Sequence, residues 1–215
     1  MKRPKARARD GDTEQRILDA AHAVFVARGT AGARMQDIAA EARVNQALLH
    51  YYFRSKDRLA EAVFHRAAGQ LFPQVIEVLA SDLSIETKVE RTVTLELDRL
   101  LRTPYLPGYI LSELHHHPQR VVQLLGTVTG MPPEVLRRRV LAKLHAQLGA
   151  AARAGTMRPI AAEQFLVNLL SLCIFPFAAR PMLMALLGLN EAGFARFIGK
   201  RRTHLAAFVL GALRS

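Results

Sequence analysis

Residues 35–59 read MQDIAAEARVNQALLHYYFRSKDRL, a pattern that leaves the chain little choice but two short helices around a sharp turn. Met35, Ile38, Ala39 and Ala42 recur at helical spacing, which gives a first short helix one apolar face. Arg43 and Val44 fall at the turn. Asn45 is placed to cap a second helix, because its amide oxygen accepts from the unpaired N–H groups of a first turn. Leu48, Leu49, Tyr52 and Phe53 form the core side of that helix, and Asn45, Gln46, Ala47, His50 and Tyr51 remain for its outer side and leading end. Ser55 is positioned to cap a further helix that starts at Lys56.

This arrangement resembles the DNA-binding segment of the tetracycline-repressor (TetR) family of bacterial transcription regulators. Ile38, Ala39, Ala42, Val44, Leu49, Tyr52, Phe53, Ser55, Lys56 and Leu59 match the family pattern. Arg34, Arg43, Asn45, Ala47 and His50 depart from it. Asn45 keeps the capping chemistry of the family's serine, whereas Arg43 must adopt whatever backbone angles the turn demands where the family has glycine. The resemblance implies a helix over residues 45–53 that enters a major groove of double-stranded operator DNA. Tyr52 and Lys56 carry over directly as phosphate contacts. Chemistry and place assign the rest: Asn45, Gln46, Ala47 and His50 to base edges, and Tyr51 and Arg34 to phosphates. Arg34 precedes a helix whose first N–H groups also attract anions.

The formal net charge is +12, which favours a polyanionic partner. Residues 1–11 (MKRPKARARDG) have no hydrophobic face and read as a basic flexible arm. Residues 12–58 read as the helix-turn-helix domain, whose first helix (12–28) is capped by Asp12, with Gln15 as capping-box partner, and stopped by Gly29. Residues 59–215 read as a larger helical domain for ligand binding and dimerisation. Its helices are expected from Lys56 towards Leu79 with a kink or split at Pro73, then over 85–102, about 104–114, 134–154, 161–179 and 191–213, with a loop over 126–133. No stretch keeps the period-two alternation of a sheet, so the fold class is all-α.

Cys173, the one cysteine, cannot form an intramolecular disulfide, and no apolar leader precedes residue 12, so a cytoplasmic location is expected. The apolar stretch 165–189 contains Asn168, Pro176, Arg180, Pro181 and Gly188 and reads as a buried helix pair rather than a membrane span. His115, His116 and His117 are consecutive and so cannot all face one ion; they read as a polar helix end, and no metal or other cofactor is expected. The runs Arg137–Arg139 and Lys200–Arg202 read as solvated charge. No phosphate loop, zinc motif or nucleophile elbow appears, which argues against an enzyme. Tyr105, Tyr109, Ser112 and His115 lie on or near one helix and offer the few polar groups that an apolar effector pocket needs. The reading is a homodimer joined through its C-terminal helices that represses transcription until a small apolar ligand releases it from DNA. The rivals are an architectural DNA-binding factor without effector and a helical carrier or enzyme.

Overall fold

The computed structural model describes residues 4–116 and 118–214, and these form eleven helices with one isolated bridge between Met157 and Arg214. The chain divides into two compact units, Met1–Ala67 and Ala68–Ser215. The division falls inside a helix, later in the chain than the sequence boundary at residues 58 and 59.

In the first unit, α1 spans Pro4–Gly32, α2 Met35–Glu41 and α3 Gln46–Phe53, and α4 (Lys56–Ala80) begins. Residues 4–11 belong to α1 and do not make a separate arm; residues 1–3 lie outside the described residues. The lysine, arginines and alanines there favour helix, and Pro4 at the first position needs no N–H partner. Asp12 therefore sits inside α1 and caps nothing. Gly29 interrupts the helix as expected, at φ 68° and ψ 168°, although helical geometry resumes up to Gly32. Ile17, Ala21 and Phe25 of α1, Ile38 and Ala39 of α2, Leu49 and Phe53 of α3, and Leu59 and Val63 of α4 are all buried, and α2 packs on both α1 and α3. Arg16 donates to the Ala42 carbonyl at the end of α2 (3.3 Å), and Arg66 of α4 donates to Asp19 (2.7 Å) and to the Leu18 carbonyl (3.1 Å).

The second unit contains the end of α4, then α5 (Ile85–Arg102), α6 (Leu106–His116), α7 (Pro118–Thr129), α8 (Pro133–Arg153), α9 (Ala162–Ala178), α10 (Arg180–Leu186) and α11 (Glu191–Leu213). α5 packs against α9 and α11, burying Val89, Val93, Leu97 and Leu100 with Phe165, Leu169, Phe194, Ile198 and Leu205. Ser84 caps α5 through the Thr87 N–H, and Asn190 caps α11 through the Gly193 N–H at 2.8 Å. Lys88 is buried and donates to the Leu79 carbonyl (2.7 Å) and to Gln147 Oε1 (2.6 Å), which ties α5 to the ends of α4 and α8. Burial, aided by repulsion from Lys143, lowers its pKa to about 8.

Several sequence expectations change here. α4 continues through Pro73 as one helix; the carbonyl four residues back belongs to Gly69, which is exposed and so open to water. α7 runs on to Thr129, which shortens the expected 126–133 loop. The apolar stretch does not stay one buried pair. α9 ends at Ala178, and α10 leaves it at 73° because Pro181 at the start of α10 has no N–H to extend the ladder. No residue of α10 is buried, and Met182, Leu186 and Leu187 are exposed. Among the described residues no single helix is long and apolar enough to cross a membrane, and the bent α9–α10 pair passes that test only when taken together. Arg137, Arg138 and Arg139 are exposed as expected. Arg201 and Arg202 are half-buried instead, Arg202 pairing with Asp98 of α5.

Arg201 has a particular task. Pro176, inside α9, cannot donate to the Leu172 carbonyl, and the Arg201 guanidinium of α11 fills that place at 3.0 Å. Arg201→Met is expected to cost about 1–3 kcal/mol in urea denaturation through loss of this bond. In a Pro176→Ala background, where the helix supplies its own donor, the cost should shrink; purely additive losses would show that the carbonyl is not what Arg201 serves.

Candidate nucleic-acid interface

The outer side of α3 is fixed from its two ends. At the leading end the Asn45 side chain accepts from the Leu48 N–H at 2.7 Å, and Asn45 itself is extended (φ −78°, ψ 158°). At the trailing end Ser55 Oγ accepts from the Arg58 N–H at 3.2 Å and so starts α4, as its position in the sequence led one to expect. Leu49 and Phe53 are buried, while Leu48 and Tyr52 are only half-buried. Asn45, Gln46, Ala47, His50 and Tyr51 are exposed, and Tyr51 keeps 74% of its surface open.

Both turns beside α3 use a left-handed arginine, Arg43 at φ 53° and Arg54 at φ 55°. That conformation disfavours a side chain with a Cβ. Both arginines are exposed, so each brings a charge to the side of the unit that bears α3. The sequence reading gave Arg43 a turn role and gave Arg54 none; a bulky residue where glycine is easier was the available signal. Arg54 also lines a surface groove with Tyr52, Phe53, Arg58, Glu61, Ala62 and His65.

His50 Nδ1 lies 3.1 Å from the Arg54 carbonyl, so Nδ1–H donates there and Nε2 is left for another partner. Tyr51 and Tyr52 meet edge to face at 5.4 Å, which steadies the exposed phenol. Arg34 precedes α2, extended and exposed, and its side chain makes no capping bond. Lys56 is half-buried, and its ammonium donates to the carbonyls of Ala31 and Ala33, each at 3.4 Å. Its nearest task is thus to hold the α1–α2 turn next to Arg34.

The residues assigned to an effector are not brought together in the same way. Tyr105 is buried just before α6, Tyr109 is half-buried in its first turns and His115 is exposed near its end. The side chain of Ser112 lies outside the described residues, as do that of His116 and all of His117.

Residues 17–63 match the family model described as bacterial regulatory proteins, tetR family. The HTH-type transcriptional repressor SCO4008 of Streptomyces coelicolor is 40% identical over 84 residues, covering 39% of this chain and 38% of that protein. The HTH-type transcriptional regulator TtgW of Pseudomonas putida is 35% identical over 94 residues, which cover 44% of this chain and 67% of that one. The match thus spans well under half the length of the first relative and about two thirds of the second. Among solved structures, the ketosteroid transcriptional regulator KstR2 of Mycobacterium tuberculosis superposes with a TM-score of 0.61 at 14% identity, covering 96% of this chain and 95% of that chain. At that identity the likeness concerns the fold.

The Asn45 cap gives a direct test of how α3 is held. Asn45→Ala is expected to lower stability by about 1 kcal/mol, and Asn45→Ser to recover most of it. Equal losses for both, read from thermal unfolding, would mean that the amide is needed for something other than the cap.

Proposed function

The chain belongs to the tetR family of bacterial regulatory proteins, and on that footing we propose that it is a homodimeric, sequence-specific DNA-binding repressor released by a small, largely apolar ligand. The observation that carries the DNA reading is the capped helix α3, whose exposed Asn45, Gln46, Ala47 and His50 stand on a side braced from below by buried Leu49 and Phe53. In this reading those four residues meet base edges in the major groove, with Gln46 suited to a bidentate pair with adenine. Tyr51, Tyr52 and Arg34 meet phosphates, and Lys56 acts on the backbone contacts through the turn that carries Arg34. Arg43 and Arg54 add charge on the same side. Binding should weaken steeply as salt rises. Gln46→Ala is expected to cost roughly 1–3 kcal/mol on the operator and far less on random duplex, measured by fluorescence anisotropy. Equal losses on both would remove Gln46 from the base readers.

The dimer reading rests on apolar surface that one chain leaves uncovered. Val167 and Phe175 of α9 and Phe208 of α11 are exposed, Phe208 by 65%. A second copy related by a two-fold axis would cover this face. Phe208→Asp is expected to shift the mass from dimer to monomer in light scattering at micromolar concentration, and a monomeric wild type would end the idea.

The effector reading places the ligand in the second unit, with Tyr105, Tyr109, Ser112 and His115 as the polar groups first singled out. Linkage requires operator DNA to weaken ligand binding by the factor by which ligand weakens DNA binding.

A further inference from the structure

Within the second unit, one turn of α5 buries polar groups that no described residue satisfies. Thr92 is fully buried, and among the described residues its hydroxyl has no hydrogen-bond partner. Glu96 is four residues on and therefore on the same face of the helix, and it is 3% exposed. Among the described residues no hydrogen bond or ion pair reaches its carboxyl, and burial alone pushes its pKa up to about 7. A buried carboxyl ordinarily sits beside a cation, because the charge is otherwise too costly to keep out of water.

The neighbouring guanidinium groups turn their terminal nitrogens to other partners, although among the described residues the Nε groups of Arg201 and Arg202 are buried without a hydrogen bond. On α11, Arg201 donates to the Leu172 carbonyl and Arg202 pairs with Asp98. On α5 itself, Arg99 donates to Gln70. What faces Glu96 from α9 is the Cys173 thiol, whose own pKa rises to about 12 through burial and the nearby carboxyl. Val93 and Leu97 of α5 and Leu169 of α9 are fully buried in the same unit.

We propose that Thr92 and Glu96 are the polar anchor of the effector site, and that the effector is an apolar molecule carrying a protonated amine. This rests on the reading of the second unit as ligand-responsive and names the class of ligand. The ammonium would supply the cation that Glu96 lacks, and one of its hydrogens would reach the Thr92 hydroxyl. The body of the ligand would lie among the aliphatic side chains of α5 and α9. Such a pair discriminates by charge: a neutral alcohol gains only a hydrogen bond, and a carboxylate meets repulsion.

The test is calorimetric titration of the full chain with n-octylamine, n-octanol and octanoate, which share a tail and differ in head group, all below their aggregation concentrations. Octylamine is expected to bind at least ten-fold tighter than octanol, with octanoate weakest. Its affinity should rise from pH 6 to pH 8 as Glu96 ionises. Glu96→Gln should abolish the preference for the amine and leave octanol unchanged. Thr92→Val, which keeps the side-chain volume, should weaken octylamine several-fold while the cooperative thermal transition persists. Equal affinity for amine and alcohol, no binding of either, or a preference that survives Glu96→Gln overturns the proposal. Operator binding is measured on the same preparations. Amine selectivity in a protein that ignores duplex DNA sinks the regulator reading and leaves the anchor standing, and tight operator binding without amine selectivity does the reverse.

Discussion

An eight-residue helix does not persist in water on its own, because so few turns cannot repay the cost of nucleation. α3 is of that length and α2 is shorter still, at seven residues. Everything offered on the outer side of α3 therefore depends on burial beneath it. Leu49 is completely buried, and Ile17 and Phe25 of α1 contribute to the same core. The long helices around α2 and α3 thus supply the stability that the short pair lacks. That division of labour leaves the outer positions of α3 free to carry side chains chosen for contact, not for packing.

Much of the helical layout was legible because its determinants are local. A cap needs only the right residue before a helix, and Asn45 and Ser55 announced themselves in that way. The apolar spacing of α5, α8 and α11 likewise located helices whose bounds shift by at most one residue in the structure. The start of α1 was missed because the periodicity rule looks for an apolar face, and residues 4–11 are helical without one. Intrinsic preference favours helix there, and it prevails without an apolar face.

The second unit was read less well because its decisive features join residues far apart in the chain. Pro73, Pro176 and Pro181 look alike in the sequence, yet one lies within a continuous helix, one has its lost bond replaced from α11, and one turns the chain. Which outcome follows depends on what stands opposite the abandoned carbonyl. Glu96 was invisible for a related reason: a glutamate within an amphipathic helix is read as surface, and only packing against α9 and α11 reveals it as core. The candidate effector residues of α6 were chosen for their chemistry along a line of sequence, and burial separates Tyr105 from His115.

The bond from Arg201 to the Leu172 carbonyl also sets a mechanical limit. Two smooth helices can creep past one another by small slips of their ridges and grooves. A slip between α9 and α11 carries an added cost, since beyond the reach of the Arg201 side chain it would strand a carbonyl that its own helix cannot serve. Phe175 and Phe208, which point away from the core on these two helices, are thereby held in phase like teeth cut on one plate. Any body seated across that plate would feel a rotation of either helix as a movement of both.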